Sequence, residues 1–144
     1  MNCLFENDVD VACIQEVSEV NASEIKKFIN SKGGYIVFIS KPKRNRGIVF
    51  FSKNPIELLN MLDVPDNKPY PVVRTSAFGT DITLLGVHFS SLLRTWNIFE
   101  FAENYKLRLG QSQSIVAEMK HFQTPAVVMS DFNTTPTEHI VRVF

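Results

Sequence analysis

Three apolar runs in this chain end in side chains that hold cations, move protons or bind anions. Gln15 and Glu16 close "VDVACIQEV", His88 follows "LLGV", and Asp131 and Asn133 follow "AVVMS". Two carboxylates and an amide oxygen are hard donors of the kind Mg²⁺ or Mn²⁺ accepts, whereas zinc asks for more histidine or cysteine than these stretches offer. Such an ion neutralises a phosphate oxygen and a leaving alkoxide, while a second carboxylate orients water and a histidine donates to the phosphoryl group. Together the residues are an inventory for hydrolysing a phosphate ester. Each also has a plainer reading: Glu16 as a solvated strand end, His88 as a satisfied core histidine, and Asp131 as a turn cap that bonds its own following backbone.

Strand ends suit chemistry because the strand fixes the residue and the loop exposes it. Residues 9–17, rich in valine and isoleucine and too short for a helix, read as a buried strand ending near Glu16. "NASEIKKFINSKGG" carries helix punctuation, with Asn21 as N-cap, Glu24 as reciprocal partner, Ile25, Phe28 and Ile29 on one face, and Gly33 past the end. "YIVFIS" and "GIVFFSK" form a hairpin around "KPKRNR", and "PIELLNML" reads as a short helical turn. "PVVRTSAF" and "DITLLGVHFS" are strands joined through a tight turn at "GT". From 97 to 121 the spacing of Phe101, Tyr105, Leu109, Ile115 and Met119 predicts a long helix, with Gly110 its weak point. "PAVVMSDFN" returns to strand, and Thr135, Pro136 and Glu138 open a last helix. This order predicts a mixed α/β sandwich rather than a purely parallel sheet. With no repeat or linker composition, residues 1–144 read as a single domain.

"DVDVACIQEV", "RGIVFFSK", "LLGVHFSS" and "AVVMSDFNTTP" stand in an order and approximate spacing that resembles the endonuclease/exonuclease/phosphatase superfamily, the deoxyribonuclease-I-like fold, from Val9 to Pro136. "RLGQSQSIVAEM" resembles the arginine-to-glutamine helix before the "DFN" strand in many members. The resemblance implies a two-sheet α/β/β/α sandwich, Mg²⁺ or Mn²⁺ as cofactor, and phosphate-ester hydrolysis. By position it makes Glu16 a metal ligand and His88 a contact to the scissile phosphate. It makes Asp131 the residue that positions or activates water, and Asn133 its phosphate-binding or orienting neighbour. The chain departs from the pattern in three places. "MNCLFEND" resembles the helix after the usual first strand, the usual terminal Asp and His have no counterpart, and Ser130 replaces a glycine. The fold is therefore expected to be incomplete at both termini, with sheet edges that invite self-association. His121 and His139 read as surface residues.

Composition narrows the partners. Lys+Arg 15 against Asp+Glu 15 leaves no net charge, so no global field draws the chain to nucleic acid or an anionic membrane. A hydrophobic share of 44% with Phe 12 excludes the disordered class. Cys3 and Cys13 lack metal-site spacing, and Cys13 reads as a small buried hydrophobe, which points to a reducing, cytoplasmic setting. No window approaches the ~20 apolar residues of a membrane span. Lys41, Lys43, Arg44 and Arg46 on the hairpin tip read either as a grip for a polyanion or as a solvated turn. Arg94 and Trp96 read as a phosphate contact and a stacking platform, with burial of Trp96 against the next helix as the alternative. The function expected is a divalent-metal-dependent phosphoesterase acting on nucleic acid, a nucleotide, an inositol phosphate or a lipid head group. Its rival is an interaction or scaffold domain that keeps the core without the terminal machinery. A flavodoxin-like domain would want a glycine-rich loop where "QEVSEVNAS" stands.

Overall fold

In the computed structural model, residues 2–41, 46–65, 69–89 and 97–133 are described. The elements run α1 (Asn2–Glu6), β1 (Val11–Ser18), α2 (Glu19–Ser31), β2 (Tyr35–Lys41), β3 (Arg46–Ser52), β4 (Ile56–Leu62), β5 (Tyr70–Ala77), β6 (Thr80–His88), α3 (Ile98–Met119) and β7 (Ala126–Asp131). They form a three-stranded sheet in the order β1-β3-β2 and a four-stranded sheet in the order β4-β5-β6-β7. Every pairing is antiparallel except β6 with β7, which are parallel, as a crossover through α3 permits.

The core explains why the strands read as continuous apolar runs. β3 is buried on both faces after Arg46. Ile48 and Phe50 pack towards the second sheet against Val73, Ala77, Ile82 and Leu84. Val49 faces the other way, with Val17 and Ala22 on the α2 side. A third cluster seats Ile115 of α3 on Val72, Leu85 and Val87. The layers are therefore α2, three strands, four strands and α3, the α/β/β/α sandwich expected. Each fully buried Val, Leu, Ile or Phe contributes about 1.5–3 kcal/mol, so the central seam dominates the packing energy. Cys13 is half-buried against that seam, as a small hydrophobe would be.

Turn chemistry sets the registers. Ala77 pairs with Thr80, leaving a two-residue loop of Phe78 and Gly79, both at positive φ (54° and 74°), the primed hairpin turn that matches strand twist. At the far end of β1, Lys53 donates to Asp8 Oδ1 at 2.6 Å and to Asp10 Oδ1 at 3.4 Å. The Asp8 hydrogen bond holds the Lys53 ammonium pKa above its ordinary value.

Two expectations are corrected. "PIELLNML" is a strand, because it hydrogen-bonds along β5 from Ile56↔Thr75 to Leu62↔Tyr70. α2 starts earlier than Asn21: Ser18 is the N-cap, and its Oγ accepts the Asn21 N–H at 3.2 Å. Gly33 does end the helix, at φ 79°, where a left-handed conformation suits glycine. The helix opened by Thr135, Pro136 and Glu138 lies outside the described residues, as does His139. His121 is exposed in the turn after α3. Among the described residues, no helix is long and apolar enough to cross a membrane.

Candidate functional site

Glu16 reaches the site through an irregularity that period-two reasoning does not anticipate. The β1–β3 register shifts between Ile14 and Val17, and Glu16 sits in this bulge at φ 56°. Ile14 and Val17 both pack on the α2 side, so strict alternation is broken by one extra residue. Without the bulge Glu16 would share the helix-covered face with Ile14; with it, the carboxylate turns to the sheet end. Holding a non-glycine residue there costs roughly 1–2 kcal/mol, and bulges beside sites commonly serve to re-aim a side chain.

Gln15, just before the bulge, ties the two sheets together. Its Nε2 donates to the Val87 carbonyl at 3.0 Å and lies 3.4 Å from Cys13 Sγ. Its Oε1 is buried without a hydrogen-bond partner among the described residues. One residue beyond Val87 stands His88, whose side chain is only 13% exposed. His88 Nε2 lies 3.8 Å from Glu16 Oε1, and Arg46 Nη1 lies 2.9 Å from Glu16 Oε2. The Glu16 carboxylate, 53% exposed, is thus bracketed by a guanidinium and an imidazole.

Asp131 and Asn133 arrive from the parallel neighbour. His88 pairs with Asp131 in register, and the Phe89 N–H donates to the Asp131 carbonyl at 3.2 Å. β7 then ends in a tight turn. Asp131 Oδ1 accepts the Asn133 N–H at 3.0 Å, and Asn133 adopts φ 49°, a conformation asparagine tolerates. Asn133 Nδ2 donates back to the Phe89 carbonyl at 2.7 Å. Residues 131–133 thereby form a turn in which each polar side chain bonds the backbone of a neighbour.

The four site residues expected from sequence therefore lie on β1, β6 and the end of β7, linked by the Glu16–His88 contact and the His88–Asp131 register. Arg94 and Trp96, and the hairpin-tip residues Lys43 and Arg44, lie outside the described residues. Two further basic residues take part. Arg46, one of four basic residues in its hairpin, engages Glu16. Arg108 is 1% exposed, and its Nη2 donates to the Phe132 carbonyl at 2.6 Å and approaches the Asn133 carbonyl at 3.4 Å. Among the described residues, no three His, Cys, Asp or Glu side chains cluster closely enough to hold a metal ion.

No family model matches the chain, and no curated protein matches it. Solved structures do. The catalytic domain of human Nocturnin with bound sulfate superposes at a TM-score of 0.66 with 20% identity, over 96% of this chain and 56% of that one. A humanized TDP2 of D. rerio gives 0.68 and 16%, over 93% of this chain and 56% of that one. An endonuclease/exonuclease/phosphatase family protein from Bacteroides thetaiotaomicron gives 0.70 and 13%, over 99% and 56%. The chain thus has the endonuclease/exonuclease/phosphatase fold and spans 56% of the length of each of these three structures.

Proposed function

We propose that this chain carries part of the active site of a divalent-metal-dependent phosphoesterase. The observation that supports this reading best is convergence. Residues far apart in sequence are brought together across the two sheets: Glu16 Oε1 lies 3.8 Å from His88 Nε2, and His88 pairs in register with Asp131. The structural neighbours share the fold, and the sulfate bound to human Nocturnin is a tetrahedral anion like a phosphate group.

The donor set suits a Mg²⁺ or Mn²⁺ ion that keeps water and substrate phosphate in its shell, since such an ion takes one or two protein carboxylates. Glu16 supplies one. The absence of a three-residue cluster among the described residues argues against a protein-enclosed cage. When bound, the ion would neutralise charge on the phosphate and the leaving oxygen. The chain's own residues do the rest. Asp131 spends one carboxylate oxygen on the Asn133 amide and offers the other to the attacking water. Asn133 Nδ2 has two hydrogens, of which one goes to Phe89 and one is left for a phosphate oxygen. His88, nearly enclosed, donates from Nε2 to the phosphoryl oxygens as charge builds there. Nucleic acid, nucleotide, inositol phosphate and lipid head group all remain substrate classes of this proposal. Self-association through the edges of β4 and β7 belongs to it as well.

The test is hydrolysis of bis(p-nitrophenyl) phosphate with Mn²⁺ or Mg²⁺, comparing the chain with Glu16→Ala and Asp131→Ala. Metal-dependent turnover that both substitutions abolish supports the reading. Turnover indifferent to both overturns it and leaves the interaction-domain rival.

A further inference from the structure

Among the described residues, the largest fully buried side chain is a cation, Arg108, on the face of α3 that packs against the second sheet. Sequence periodicity assigned that face to Phe101, Tyr105, Leu109, Ile115 and Met119, yet the fully buried residues are Arg108, Gln111, Ser112 and Ile115. Burying a guanidinium is expensive unless strong acceptors meet it. Its Nη2 meets the carbonyls of Phe132 and Asn133, and its Cζ stands 5.7 Å from the centre of the Phe89 ring. These groups belong to the Asp131–Asn133 turn or to the strand end that braces it, since Phe89 bonds Asp131 through its N–H and Asn133 through its carbonyl. One terminal nitrogen, Nη2, reaches both successive carbonyls while the planar group lies over the Phe89 ring, a placement that a lysine ammonium, a point charge, does not reproduce.

From this we infer that Arg108 is a positioning residue for the reacting carboxylate. By holding two consecutive carbonyls and the Phe89 ring, it fixes the left-handed Asn133 and hence where the Asp131 side chain points. This role deepens the phosphoesterase reading and rests on it. A displacement of about 1 Å at a reacting group costs on the order of a hundredfold in rate, so the guanidinium acts on kcat from behind the site.

Arg108→Lys keeps the charge and loses the planar guanidinium, and it is compared with Asn133→Ala and with the double variant. Two readouts are taken: kcat and KM on bis(p-nitrophenyl) phosphate with Mn²⁺, and amide hydrogen exchange at residues 131–133 against the core of β5 and β6. The expected result is a kcat lowered about tenfold or more with KM held within about twofold. The double variant should lose no more than the worse single one, because both residues act on one turn. Exchange should quicken in the turn alone. Losses that multiply in the double variant, or exchange that quickens equally through β5 and β6, would overturn the positioning role and make Arg108 a general packing residue. If the unsubstituted chain hydrolyses nothing, the partial site does not turn over by itself. The exchange readout then still decides whether Arg108 fixes the turn: quickening confined to 131–133 supports it and uniform quickening overturns it.

Discussion

The two halves of the candidate site are held in opposite ways. Glu16 stands on a bulge with its carboxylate half in solvent, restrained by Arg46, which is itself 59% exposed, and by a long contact to His88. Asp131 and Asn133 are tied by backbone amides and carbonyls to Phe89 and to a buried guanidinium. The first half can exchange its partners for an incoming cation at little cost, because exposed ion pairs contribute only about 0.2–1 kcal/mol. The second cannot move without breaking several part-buried bonds at once. A cation-accepting side chain needs such freedom, and a water-orienting one needs stiffness.

The largest effect expected is at the soft half. Glu16→Gln keeps the shape and removes the charge, and should lower Mn²⁺-dependent hydrolysis by about a hundredfold or more while leaving the thermal midpoint almost unchanged. Mn²⁺ titration followed by electron paramagnetic resonance should show the matching loss of binding; an undiminished affinity would break the assignment of this half. At the stiff half, Asn133→Ala removes the bond to Phe89 and places alanine in a left-handed conformation. It should cost about 1–3 kcal/mol in urea unfolding, so the stability penalty that Glu16→Gln escapes appears here. Arg46→Ala should shift stability by less than about 1 kcal/mol and tighten Mn²⁺ binding by freeing the carboxylate. Weaker binding would instead make Arg46 a support of that half. The smallest effect lies away from both halves. The Lys53 pKa is raised in the folded state, so the stabilisation from Asp8 and Asp10 is complete below the unfolded pKa and is lost as pH rises through the folded one. Lys53→Met should therefore flatten the strongly alkaline limb of a stability–pH curve and leave it unaltered near neutrality.

Much of this was legible in the sequence, for reasons particular residues make plain. β3 and β6 are covered on both faces, so "GIVFF" and "TLLGV" announce themselves as strands. β4 did not, because it is an edge strand with Glu57, Leu58, Leu59 and Asn60 all exposed, and no period survives where neither face is fully buried. The start of α2 was misread since Ser18 and Asn21 are both good caps, and only the chain's exit from β1 chooses between them. Glu16, His88, Asp131 and Asn133 were visible as polar residues closing apolar runs. The bulge that aims Glu16 was not, because it lives in the pairing register and not in residue type. Arg108 was visible as the first residue of the arginine-to-glutamine helix, but its burial was hidden for a related reason: a helical arginine reads as solvated until the carbonyls that receive it are brought over from the end of β7.

The Gln15 amide donates to a carbonyl 72 residues further along, across the seam between the sheets. Neither sheet contains the site by itself; it comes into being when they dock. Contacts of such sequence separation form late and slowly, so an encounter with substrate is possible only for chains that have completed assembly. A ligand spanning Glu16 and Asp131 would in turn act as a clamp on the docked state, adding about 2.7 kcal/mol at a hundredfold excess over its Kd. In this chain, therefore, the assembly of the candidate site and the docking of the two sheets are one event, and a shift in melting temperature reports on both.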